Sequence, residues 1–298
     1  MGIDPHALNF LRYAHQFGPF GRTVTIGRQN IHFKARQFRQ FTGTYVAAIE
    51  AHYCEPLLTD YFGASAVDSI DNSDFEQATL IHDMNLPLPE AWVEQKFDTI
   101  IDCGTLEHIF NVPQAFSNLS ALANPGAQIL HVLPSNNFCG HGFYQFNPEL
   151  FFSLYCDVNG YRDTSVFLAD ATRLQTWFRV CPPPPGERVN VHTDTPVYVL
   201  ARTVLKDKTF GQYRVQQSDY VHRWALPKDR SEPRKKKRGK RSEFAERART
   251  AILSVPALAK MVSRFRSRPK RKATERLDAG HPYLKAFPIA SLRDPASG

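Results

Sequence analysis

Apolar positions in this chain fall into short runs separated by polar, glycine- or proline-containing breaks. Residues 23–26 (TVTI) are β-branched in part and lie between Gly21 and Gly27, which predicts a buried strand. Residues 66–70 and 79–83 repeat the design: the first run stops at Asp71-Asn72-Ser73, and the second is followed by the breakers Pro87 and Pro89. The clearest strand is 97–102 (FDTIID), followed by Cys103-Gly104 and a helix start at Thr105, with Thr105 as N-cap and Glu107 in the first turn. Residues 128–133 (QILHVL) end at Pro134, and 165–168 and 197–201 read as the last two strands, with 182–185 (PPPP) in the loop between them. Helical spacing covers 6–17, then 115–122 up to the break Asn124-Pro125-Gly126, and 148–155 with Asn147 as its cap.

Strands that alternate with helical segments predict a doubly wound α/β fold with a mostly parallel, seven-stranded sheet covered on both faces. Such sheets bind ligands at the carboxyl ends of their strands, where the strand order reverses. That rule draws Gly27, Asp71, Asp83, Asp102, Cys103 and Gly104 together as candidates, because each follows or ends an expected strand.

The run FDTIIDCGTLEHIFNVPQAFSNLSALANPGAQILHVLP (97–134) resembles the fourth-to-fifth strand region of S-adenosylmethionine-dependent methyltransferases of the type 11/23 kind. In that family an "FD.I....LEH" strand and helix precede a "L.PGG.L....P" helix and strand, and Gly126-Ala127 stands here where Gly-Gly is common. The resemblance covers about residues 20–203 and implies a Rossmann-like fold and S-adenosylmethionine as cofactor. It also implies that Asp71 accepts hydrogen bonds from the ribose hydroxyls, that Asp83 meets the adenine amino group, and that Met84 touches the purine face. For both aspartates, an exposed turn residue is the alternative reading.

The family's first loop carries an acidic residue and then Gly-x-Gly-x-Gly, where glycine permits positive φ and close approach of the ligand. Here the stretch is Thr25-Ile26-Gly27-Arg28-Gln29-Asn30-Ile31, so Gly27 alone matches. Arg28 or Gln29 would then grip the methionine carboxylate in place of backbone amides. Two clusters offer catalytic groups: Glu107-His108 after the fourth strand, and His141 with Tyr144 in the polar-aromatic loop after the fifth. For Glu107 the competing reading is helix-dipole stabilisation, and for His108 a packed or solvated ring.

Charge divides the chain. Residues 206–298 hold 25 Lys+Arg against 9 Asp+Glu, while 1–205 carry a net charge of −8, which predicts a methyltransferase-like domain at 1–205 and a basic, partly helical extension at 206–298. Within the extension, 228–241 (KDRSEPRKKKRGKR) reads as a linker and 244–265 as a basic amphipathic stretch. An anionic membrane surface or nucleic acid is a candidate partner for 228–272, with packing on the main domain or a solvated basic tail as the alternative readings. The chain lacks a run of about 18 apolar residues, and its N-terminal stretch lacks the basic-then-apolar order of a secretory signal, so a cytoplasmic protein without a transmembrane segment is expected. Five cysteines without CxxC or Cys/His ligand spacing agree with a reducing compartment, and no structural metal is expected from them. The expected function is methyl transfer from S-adenosylmethionine; a catalytically silent module that acts through binding is the alternative.

Overall fold

Neighbouring residues in the central strands pack into opposite cores, which is what a sheet covered on both faces requires. Ile100, Ile129, Val166 and Val199 enter one apolar cluster, whereas the adjoining Ile101, Leu130, Phe167 and Leu200 enter the other. The computed structural model describes residues 2–94, 96–207, 215–227 and 275–295. Its parallel strands are β2 (Gly21–Ile26), β4 (Ala64–Asp71), β5 (Leu80–Ile81), β6 (Phe97–Cys103) and β7 (Ala123–Asn136). A short pair, β1 (Gly2–Ile3) and β3 (Asn30–Ile31), forms a separate small parallel sheet.

The main sheet continues with β8 (Tyr161–Asp170), β9 (Thr176–Val180), β10 (Val197–Leu205) and β11 (Leu284–Pro288), in the order β11-β9-β8-β10-β7-β6-β2-β4-β5. β10 runs antiparallel between β7 and β8, and β9 and β11 add an antiparallel edge. The fold is therefore α/β, doubly wound and Rossmann-like, with nine strands instead of the seven expected. The chain leaves β2 outward through β4 and β5, then returns to β6 on the other side of β2. The strand order thus reverses between β2 and β6.

Helix α1 (Pro5–His15) starts at Asp4, whose side chain accepts from the Ala7 N–H at 2.8 Å, and Pro5 at the first position needs no such partner. With α2 (Ala35–Thr42) and α3 (Glu55–Asp60) it covers one face through Leu8, Leu11, Phe38 and Leu57. The helices α5 (Val112–Leu122) and α6 (Pro148–Leu154) cover the other through Leu119, Leu122 and Phe151. Asn147 caps α6 as expected, its side chain accepting from the Leu150 N–H. The helices α4 (Glu90–Val93) and α7 (Ser218–Ala225) are short and peripheral. Residues 106–108 form a single 3-10 turn where a longer helix was expected, and the Thr105 hydroxyl donates to the Ile26 carbonyl instead of capping it.

The boundary at 205 does not separate two units. β11 pairs with β9, Ile289 and Leu292 are buried in the core under α1, and Phe287 stacks on Trp177 with ring centroids 5.9 Å apart. Arg12 donates to the Leu292 carbonyl and the Tyr61 hydroxyl to Asp294. The stretch after 274 therefore completes the sheet of the first domain. The expected linker and amphipathic stretch (228–272) lie outside the described residues. Among the described residues, no helix is long and apolar enough to cross a membrane.

Candidate functional site at the reversal of strand order

β2 ends at Ile26, and Gly27 turns the chain with φ +72°, its N–H donating to the Ile70 carbonyl at 2.7 Å. A non-glycine residue would be strained in that conformation. Across from it, β4 ends at Asp71. One carboxylate oxygen of Asp71 accepts from the Asn72 N–H at 2.7 Å, the other from the Arg28 N–H at 3.4 Å. A carboxylate offers about four acceptor positions, so about two on the half-buried Asp71 remain for a ligand.

Arg28 and Gln29 do not reach outward. The Arg28 guanidinium donates to Glu55 at 2.7 Å and to the carbonyls of Glu76 and Gln77, and lies 3.8 Å from the Tyr53 ring centroid. Gln29 is wholly buried, and its amide turns back onto the carbonyls of Ile26 and Gly27. The Arg28 guanidinium and the Gln29 amide nitrogen, the donors a ligand carboxylate would need, are thus engaged within the protein. Asp83 closes a local turn through the N–H and side-chain amide of Asn85, which hold its carboxyl below its ordinary range. Met84 is buried in the core, and its sulfur lies beside the Asn118 amide.

After β6 the chain is held by Asp102, which is wholly buried. One of its oxygens accepts the N–H groups of Thr105 and Leu106, at 3.1 and 3.3 Å. The other lies 2.8 Å from His131 Nδ1, and His131 Nε2 lies 2.7 Å from the Tyr155 hydroxyl. Facing a carboxylate, His131 Nδ1–H donates to Asp102, and Nε2 pairs with the Tyr155 hydroxyl. Asp102 therefore positions the turn instead of facing a ligand, a correction to its expected role. Gly104 follows with φ +83°, where a Cβ would approach Glu107 Oε1 to 3.3 Å.

Glu107 is the unusual member of the site. It is wholly buried, and among the described residues neither carboxylate oxygen has a hydrogen-bond partner. Burial first, and the neighbouring Asp102 second, push its carboxyl up to about 8. Its backbone carbonyl accepts from the N–H groups of Phe143, at 2.6 Å, and Tyr144. Gly142 makes this close approach feasible: a Cβ there would stand 2.7 Å from the Glu107 carbonyl oxygen, and its φ is +71°. The loop after β7 is folded back in this way. His141 Nε2 lies 3.3 Å from Glu107 Oε1 without the alignment of a hydrogen bond, and His108 Nε2 lies 3.8 Å from the same atom. Burial and the neighbouring His141 lower the pKa of His108.

Three of the four expected catalytic residues, Glu107, His108 and His141, thus come together. Tyr144 does not join them, since its hydroxyl donates to the Phe110 carbonyl at 2.8 Å. A cavity of about 300 Å³ opens beside the cluster, lined by Gly104, Glu107, His141, Tyr198 and Asp4 among others. Gly27, Asp71, Asp83 and Met84 do not line it. Two larger cavities, of about 410 and 530 Å³, run along α6 and α7, and no residue of Gly27, Asp71 or the 103–107 turn lines them. The His131–Tyr155 pair escaped the sequence reading; the signal available was a histidine in the middle of the apolar run 128–133.

No family model and no curated protein matches the chain. Solved structures similar to it include an S-adenosylmethionine-dependent methyltransferase from Aquifex aeolicus, at 14% identity and a TM-score of 0.35, covering 68% of this chain and 95% of that one. A Haemonchus contortus phosphoethanolamine N-methyltransferase 2 in complex with S-adenosylhomocysteine has 14% identity and a TM-score of 0.36, with 67% and 53% covered. A branched-chain polyamine synthase from Thermus thermophilus in complex with 5'-methylthioadenosine has 16% identity and a TM-score of 0.36, with 71% and 59% covered. Likenesses of this size carry no weight for the site, and the fold is defined by the strand order described above.

Proposed function

We infer that the chain binds S-adenosylmethionine at the reversal of strand order and passes its methyl group to an acceptor seated beside Glu107. One observation carries this reading. The strand ends that flank the reversal carry two positive-φ glycines, Gly27 and Gly104, and the end of β4, next to β2, carries a carboxylate with unused acceptor positions, Asp71. The 97–134 resemblance to methyltransferases supports the same cofactor.

Bound there, S-adenosylmethionine supplies an electrophilic methyl group on a sulfonium. Asp71 would accept from the two ribose hydroxyls, and the bare backbone at Gly27 and Gly104 would let the ligand approach closely. Methyl transfer is an in-line displacement, so positioning supplies much of its rate. In this reading Glu107, His108 and His141 orient the polar atom of the acceptor, which is a nitrogen or oxygen nucleophile.

Binding without transfer is the second reading, and Gln29 favours it, because its carboxamide occupies the interior of the first loop. Calorimetric titration with S-adenosylmethionine and S-adenosylhomocysteine tests both readings. Binding of each at 1:1, lost in Asp71→Ala with the fold retained, is the expected result. No heat and no thermal stabilisation with either compound would remove the cofactor from the account. Transfer of tritium from methyl-labelled cofactor to components of a cell extract separates the enzyme from the silent binder.

A further inference from the structure

We propose that Glu107, His108 and His141 bind a divalent transition-metal ion of the zinc type, with one coordination position left open to the cavity. The three ligand atoms all lie within 4.8 Å of one another. In a tetrahedral zinc site, bonds of about 2.0–2.2 Å place neighbouring ligand atoms roughly 3.3–3.5 Å apart. Glu107 Oε1 and His141 Nε2 stand 3.3 Å apart, so that edge is already formed. The edge to His108 is 3.8 Å and closes with a small rotation of a half-exposed ring.

Glu107 supplies a second, independent observation. A buried carboxylate without an aligned hydrogen-bond donor is costly whether it keeps its charge or gives it up. Among the described residues, the donors nearest to it are His141 Nε2 and His108 Nε2, at 3.3 and 3.8 Å and neither aligned as a hydrogen bond, while Gly104 and Gly142 flank it without a side chain. A cation held between Glu107 and the two imidazoles would supply the missing partner. The donor set points to the ion. Two imidazoles and one carboxylate suit zinc and its neighbours, whereas magnesium and calcium prefer oxygen ligands throughout.

Three protein ligands leave a position vacant, which is the arrangement of catalytic zinc sites. The ion can enter from solvent, because the His108 and His141 side chains are 42% and 55% exposed. The vacant position faces the space assigned above to the acceptor, and this part of the inference rests on the methyl-transfer reading. There the ion would hold an acceptor oxygen or nitrogen and favour its deprotonated form.

The test uses the full chain stripped with EDTA. Zinc is titrated by calorimetry, and cobalt by its visible absorption, which is intense only in low-symmetry four- or five-coordinate sites. One ion per chain is expected, with the affinity falling about tenfold or more in both Glu107→Gln and His141→Ala. His141 lies on an exposed loop, so His141→Ala retains the fold even if Glu107→Gln does not; circular dichroism checks each variant. The proposal is overturned if the stripped protein takes up no ion, or if both variants bind zinc as tightly as the parent. The outcome is independent of S-adenosylhomocysteine binding, so failure of the metal site and failure of the cofactor site are told apart.

Discussion

Replacing Asp102 by alanine should destabilise the protein more than any other single change at the site. The carboxylate is wholly buried and accepts three hydrogen bonds, from the N–H groups of Thr105 and Leu106 and from the His131 imidazole. Truncation strands all three donors away from water, at about 1–3 kcal/mol each. Removing a buried charge offsets part of that loss, so the net expectation is about 3–5 kcal/mol. Asp102→Asn keeps the volume and a carbonyl for the two N–H groups, and His131 can reverse its tautomer to accept from the new amide. Its cost is therefore about 1–3 kcal/mol, mainly the loss of charge assistance. Urea unfolding at neutral pH, followed by the fluorescence of the buried Trp177, measures both. An alanine variant within about 1 kcal/mol of the parent, or an asparagine variant less stable than alanine, would refute the assignment of Asp102 as the anchor of the turn.

Three further outcomes follow from the same geometry. Folded Glu107 ionises near 8 and the unfolded chain near the ordinary 4.5, so the unfolded state loses this proton first and stability falls as pH rises through that window. In EDTA, Glu107→Gln should abolish that fall and exceed the parent by about 3–5 kcal/mol near pH 9; urea midpoints near pH 5 and pH 9 measure it, and equal slopes for the two proteins would contradict it. Gly142→Ala combines a positive φ with a Cβ 2.7 Å from the Glu107 carbonyl oxygen, and is expected to cost about 1–3 kcal/mol and to weaken zinc uptake by displacing His141. Leu284→Ala should cost about 2–4 kcal/mol in thermal or urea unfolding, because Leu284 is buried in the main core on β11; a neutral result would place the segment after 274 outside the domain.

Much of the sheet was readable in the sequence because its central strands carry their own signal. Residues 97–102 and 128–133 each hold adjacent apolar pairs, Ile100-Ile101 and Ile129-Leu130 with Val132-Leu133, as strands buried on both faces require, although β7 runs through Pro125 and Pro134, where breaks were expected. β9 and β11 carry no such signal. Thr176-Trp177-Phe178-Arg179-Val180 is mixed in polarity, and β11 pairs with it across about a hundred residues, a contact that no local pattern encodes. The site divides in the same way. Glu107, His108 and His141 could be named from the residue types that follow expected strands, but the burial of Glu107 depends on Gly142 folding back over it. Arg28 has its partners, Glu55, Tyr53 and the carbonyls of 76 and 77, far off in sequence, whereas Gln29 turns back onto the adjoining carbonyls of Ile26 and Gly27. Met84 reads as a possible purine contact in isolation, yet Asn118 and the core take it up.

The central claim is that an adenosyl ligand sits at the reversal of strand order. Hydrogen–deuterium exchange of the full chain, with and without saturating S-adenosylhomocysteine, tests it most directly. Slower exchange confined to residues 26–30, 70–73 and 103–107 is the expected result. Unchanged exchange at these strand ends, or protection found along α6 and α7 instead, would contradict the account.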